Sequence, residues 1–128
     1  MSDSGDIPIK IEVVGLGTLE GVIFRHIAPI SADAILAKMP FVLRGRFPFG
    51  SKNYWTLITV GIKKGPNSSA KKDVIRGDII YNPKADEISI ILEDHEMPNK
   101  INHIGKITGN LELLNSARNG LNNKISRA

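Results

Sequence analysis

Residues 74–114 read VIRGDIIYNPKADEISIILEDHEMPNKINHIGKITGNLELL, and this stretch decides the fold. Gly77-Asp78 introduces a short apolar run, Ile79-Ile80-Tyr81. Asn82-Pro83-Lys84-Ala85-Asp86 then supplies turn chemistry before a second run, Ile88-Ser89-Ile90-Ile91-Leu92. Two apolar runs around a turn of Asn, Pro and Asp predict a β-hairpin. A polar loop with Pro98 and Asn99 is expected next, then a strand over residues 101–107, then a helix opened by Gly109-Asn110 and carried by Leu111, Leu113 and Leu114.

Upstream, Ile7, Ile9, Ile11 and Val13 alternate with Pro8, Lys10 and Glu12 at the two-residue period of a half-buried strand. Gly15-Leu16-Gly17 turns the chain, and residues 18–26 form the antiparallel return, with Leu19 and Val22-Ile23-Phe24 as its apolar content. The Gly15-x-Gly17 pair lacks the third glycine and the following helix of a phosphate-cradling turn, so it is read as a turn. A helix of about nine residues should begin at Ser31, whose hydroxyl suits an N-cap, with Asp33 in the first turn and Ile35, Leu36 and Met39 as its buried stripe. Pro40 ends it, because the residue before a proline is pushed out of the α region.

Residues 41–49, FVLRGRFPF, alternate apolar side chains with Arg44 and Arg46, as a strand with one cationic face would. After a turn at Gly50-Ser51-Lys52, residues 53–62 hold Tyr54, the only tryptophan, Trp55, and Leu57, Ile58, Val60 and Ile62, a strand expected to lie centrally. Residues 63–73, KKGPNSSAKKD, read as an exposed loop within one domain, residues 1–6 as a frayed leader, and residues 120–128 as a possible last strand. Seven to nine strands with hairpin connections, two short helices and no βαβ rhythm predict a mostly β protein, a closed antiparallel barrel capped by the helices, because closure removes exposed sheet edges.

Composition bounds the function. A chain of 128 residues with 41% hydrophobic content has the length of one domain. The charge of +4, from 17 basic and 13 acidic residues, is spread along the chain. The Lys63-Lys64 and Lys71-Lys72 pairs lack the aromatic interleaving of a nucleic-acid platform, so nucleic acid is not expected as a partner. No cysteine is present, which removes disulfide and thiolate chemistry and fits a cytoplasmic protein. The first ten residues have acids and glycine where a secretory signal needs a basic patch and an apolar core, and no apolar run approaches the roughly 20 residues that span a bilayer, so no membrane association is expected.

The order hairpin, helix beginning Pro-Ile-Ser-Ala-Asp, further strands, Gly77-Asp78-Ile79-Ile80-Tyr81-Asn82-Pro83 and Ile104-Gly105-Lys106-Ile107 before a helix resembles the cyclophilin fold. More narrowly, it is similar to small prokaryotic cyclophilin-like proteins of uncharacterised function. The resemblance implies a cyclophilin-like barrel over the whole chain. True cyclophilins are peptidyl-prolyl isomerases, in which an Arg beside an apolar proline pocket draws the prolyl nitrogen's lone pair out of conjugation, lowering a barrier of about 18–20 kcal/mol. Their Phe-His-Arg signature, followed by Phe-Met and Gln, is absent here, so no catalytic residue is carried over.

The expected function is therefore non-enzymatic binding of a small molecule or an extended, proline-containing peptide on the barrel surface, with a divergent prolyl isomerase as the alternative and no cofactor or metal. An interaction subunit with no ligand pocket is the third reading. Candidate ligand-binding residues are Arg44, Arg46, Phe47, Phe49, Tyr54, Trp55 and Tyr81, since guanidinium groups and aromatic faces together hold carboxylates and planar groups. Each has a plainer reading, a solvated face for the arginines and a core role for Trp55 and Tyr81. His95, in an acidic run, and His103, between isoleucines, are read as loop and rim histidines rather than as a metal ligand or a proton carrier.

Overall fold

A computed structural model describes residues 6–128. Nine strands follow in order: β1 Asp6–Val13, β2 Gly17–Phe24, β3 Phe41–Arg46, β4 Tyr54–Leu57, β5 Lys71–Val74, β6 Asp78–Asn82, β7 Glu87–Ile91, β8 His95–Gly109 and β9 Asn122–Arg127. Helix α1 spans Pro29–Lys38, and a 3₁₀ helix spans Leu111–Ser116. The sheet runs β2, β1, β9, β3, β4, β7, β6, β8, and β8 pairs back onto β2, closing an eight-stranded antiparallel barrel with β5 laid outside on β8. The C-terminal strand β9 fills the gap between β1 and β3.

The predicted hairpin is β6 and β7, registered Ile79 to Ile90 and Tyr81 to Ile88. Its run of isoleucines does not alternate with polar residues because both faces of β7 are covered. Ile88 and Ile90 point into the barrel, while Ile91, with Ile80, packs outside against Val74, Met97 and Ile101 of β5 and β8. Burying each such side chain contributes about 1.5–3 kcal/mol, so the outer cluster fastens β5 to the wall.

Several boundaries differ from expectation for identifiable reasons. Residues 1–5 of the expected leader lie outside the described residues, and Asp6 already pairs with Phe24 in β1. The loop over 63–73 gives its last three residues to β5. The polar loop around Pro98 is strand: β8 runs through it, and Pro98 sits where the β5 register shifts between Lys71 and Asp73, a bulge that needs no donor from it. The strand over 53–62 stops at Leu57, because Thr59, Gly61 and Lys63 all take positive φ. Ser31 does not cap α1. Pro29 occupies the first turn, Asp33 lies beyond it and accepts from Arg25 Nε at 2.8 Å, and the buried Ser31 hydroxyl accepts from Asn102 Nδ2 at 2.9 Å.

Candidate functional site

Strands β3 and β4 share only two register pairs, Gly45 with Leu57 and Arg46 with Thr56. Beyond them residues 47–51 swing away, helped by Pro48 and by Gly50 at φ +80°, and the wall opens into a cleft of about 500 Å³. Arg46 stands on the outer face of β3, and Glu87, at the start of β7, reaches the same face. Arg46 Nη2 lies 3.4 Å from Glu87 Oε2. Phe47, Phe49 and Tyr54 supply the aromatic walls, Thr56 stands on β4 opposite Arg46, and Asn119 lines one side, its Oδ1 accepting the Phe47 N–H at 2.8 Å.

Two features give this cleft chemical character. Phe49 is fully exposed at its lip, while the Glu87 side chain is only 18% exposed. Burial pushes the Glu87 carboxyl above its ordinary range, and the Arg46 guanidinium offsets that only in part. A carboxylate kept partly dry beside a cation, in a cleft lined by aromatic rings, can take a donor and an acceptor from one ligand while its apolar part covers Phe49.

Of the seven candidates, the structure brings Arg46, Phe47, Phe49 and Tyr54 together at this cleft. Arg44 is exposed on the same strand, two residues back, and does not line it. Trp55 points the other way, into the barrel, where its Nε1 donates to Asn123 Oδ1 at 3.0 Å and its ring meets Phe47 edge-on at 4.8 Å, so it props the cleft from behind. Gly45 leaves the space that the indole occupies. Tyr81 is also inside the barrel. Its hydroxyl donates to Asp86 Oδ1 at 2.6 Å, and burial with that carboxylate pushes it up to about 12. Glu87, Thr56 and Asn119 went unread in the sequence: Glu87 meets Arg46 from 41 residues away, Asn119 meets Phe47 from 72, and Thr56 enters only through the pairing of β4 with β3.

The histidines take separate places. His95 stacks on Tyr54, with ring centroids 5.6 Å apart. His103 Nε2 faces two acceptors, Asp78 Oδ1 at 3.2 Å and the Gly105 carbonyl at 3.0 Å, and so carries the proton. Burial works to raise Asp78, but hydrogen bonds from His103 and the Ile75 N–H hold it below its ordinary range. Among the described residues no three His, Asp or Glu side chains converge as a metal site, and no helix is long and apolar enough to cross a membrane.

An eight-stranded antiparallel barrel with an open cleft on its outer wall is thus the class of protein in hand. No protein-family profile and no curated protein sequence matches the chain. Solved structures do. The hypothetical protein AF2241 from Archaeoglobus fulgidus superposes with a TM-score of 0.78 at 19% identity, over 99% of this chain and 98% of that one. McbB in complex with tryptophan superposes with a TM-score of 0.76 at 12% identity, over 93% of this chain and 44% of that one. At these identities the likeness is one of fold.

Proposed function

We propose that this chain is a cyclophilin-like domain of a prokaryotic cytoplasmic protein, which binds a small molecule or an extended peptide in the Arg46/Glu87 cleft without transforming it. The carrying observation is the pairing of a partly desolvated carboxylate and a guanidinium, 3.4 Å apart, in a cleft that a fully exposed phenylalanine also lines. Arg46 suits a carboxylate or a peptide carbonyl, Glu87 an ammonium or N–H, and the aromatic walls a planar ring or a proline. McbB, which shares the fold, was solved with tryptophan, a compound carrying all three elements. The lack of cysteine accords with a reducing compartment.

The test is a thermal-shift screen of amino acids, short peptides and planar carboxylates, since a ligand held only by the folded state raises the melting temperature. A hit should lose at least about tenfold in affinity in Arg46→Ala and in Phe49→Ser. A hit that binds those variants as well as the parent overturns this site. Glu87→Gln should weaken ligand binding yet raise the melting temperature of the free protein at neutral pH. The sign follows from the raised Glu87 carboxyl: its contribution to stability is present below the ordinary value of 4.5 and lost as pH rises through the folded-state value. Removing the charge removes that loss. The alternative, a divergent prolyl isomerase, rests on Arg46 standing beside Phe47 and Phe49 as a proline pocket would require. NMR exchange on an Ala-Pro peptide separates the two: acceleration abolished by Arg46→Ala favours catalysis, and unchanged exchange favours binding alone.

A further inference from the structure

We propose that a second cleft, at the loops bordering β6, binds a phosphorylated small molecule with a compact ring body. Its phosphate oxygens are held by Lys64, Lys84 and Lys100, and its ring rests on Pro66 and Pro83. The cleft measures about 350 Å³, within the range of small-molecule sites, and no acidic residue lines it. Its lysines come from three separate segments: the connection between β4 and β5, the β6 to β7 turn, and the bulged middle of β8.

Those segments are fastened together by polar side chains other than the lysines. Asn82 Oδ1 accepts both the Lys84 N–H at 3.1 Å and Asn99 Nδ2 at 2.8 Å, tying the turn to β8. The Lys64 N–H donates to the Tyr81 hydroxyl at 3.2 Å, and the Gly65 carbonyl accepts from Asn102 Nδ2 at 3.1 Å. Tyr81 and Asn102 are both fully buried, so the loop carrying Lys64 and Pro66 is anchored in the barrel. The ammonium groups remain available: no lysine takes part in any ion pair found among the described residues. Asp86, close by in the turn, already accepts from Tyr81 and from the Gly61 and Lys63 N–H groups. All three lysines line this one cleft, so an anion seated in it meets positive charge from three segments of the chain. Two prolines line the cleft and no aromatic residue does, so it offers no platform for successive bases, which suits one ring and its phosphates better than a nucleic-acid strand.

Adenosine triphosphate without magnesium serves as the probe, followed by amide chemical-shift titration. Saturable shifts should map to the amides of Lys64, Gly65, Asn67, Asn82, Lys84, Asn99 and Lys100, weaken with salt, and leave the amides around Arg46 unmoved. The double variant Lys64→Ala, Lys100→Ala should lose at least about tenfold in affinity, whereas Lys10→Ala, on β1, should lose nothing. Adenosine should fail to bind, and tripolyphosphate should bind more weakly than the nucleotide. Tripolyphosphate binding as tightly as the nucleotide overturns the ring seat. A 12-nucleotide strand binding more tightly than the mononucleotide overturns the small-molecule reading. Shifts centred on Arg46, or an equal loss in Lys10→Ala, overturn the site while leaving the Arg46/Glu87 proposal standing.

Discussion

Gly105→Ala should cost about 3 kcal/mol or more, a large share of the roughly 5–15 kcal/mol that holds a domain folded. Gly105 lies on β8 opposite Ile23 of β2, at the seam that closes the barrel. A β-carbon there would fall inside the van der Waals sphere of the Val22 carbonyl oxygen and crowd the Ile23 Cα at 3.2 Å. Neither is the end of a flexible side chain, so only a backbone shift relieves the clash. Gly21, across the same seam, is equally confined: its β-carbon would stand 2.8 Å from the Lys106 carbonyl oxygen. Urea unfolding followed by Trp55 fluorescence measures the effect, and a fall in slope along with the midpoint would report that the seam has opened. A loss of no more than about 0.5 kcal/mol, the range of ordinary surface substitutions, would contradict this account of closure. Gly15→Ala is the comparison. Nothing lies within 4 Å of its β-carbon, and only the φ of +88° is strained, so about 1–2 kcal/mol is expected.

Asp86→Ala should destabilise by about 3 kcal/mol, since it removes the charged acceptor shared by three donors: the Gly61 and Lys63 N–H groups at 2.8 and 2.9 Å and the Tyr81 hydroxyl at 2.6 Å. Asp86→Asn, which keeps one acceptor and tolerates the φ of +56°, should cost less. The pH dependence follows from the same contacts. Burial works to raise the Asp86 carboxyl, but the bonds from Tyr81 and the two amides outweigh it and hold the group below its ordinary 3.8. Its contribution is present above pH 3.8 and lost as pH falls through the lower folded-state value. Tyr81 behaves oppositely: raised from 10.0 to about 12, it contributes fully below pH 10.0 and loses that contribution as pH rises toward 12. Melting temperatures between pH 2 and 12 should therefore fall at both ends, and Asp86→Asn should flatten the acid limb. An unchanged acid limb in that variant would remove Asp86 from this role.

Much of the fold was legible because its signals are local. Alternation at Ile7, Ile9, Ile11 and Val13 and the turn chemistry of residues 82–86 act within a few residues, and the hairpins formed where those patterns stand. Where tertiary contacts outbid local ones, the reading missed. Pro98 looked like a loop residue until β5 accommodated it in a bulge, and Ser31 looked like a cap until Asn102 claimed its hydroxyl. The site divides the same way. Arg46, Phe47 and Phe49 were visible as one cationic and aromatic run, whereas the partners from β7 and from the loop before β9 were not.

The sequence by itself determined the class of fold: strand periodicity, turns rich in glycine, proline and asparagine, and a helix stopped by proline admit little besides an antiparallel barrel. Only the tertiary structure decided which face each aromatic took and which charges met. Trp55 and Tyr54 are neighbours in sequence, yet one props the core and the other lines the cleft, because adjacent residues on a strand point to opposite sides and only closure of the barrel defines inside. The meeting of Arg46 with Glu87, 41 residues apart, depends on strand order and register, which no local pattern encodes.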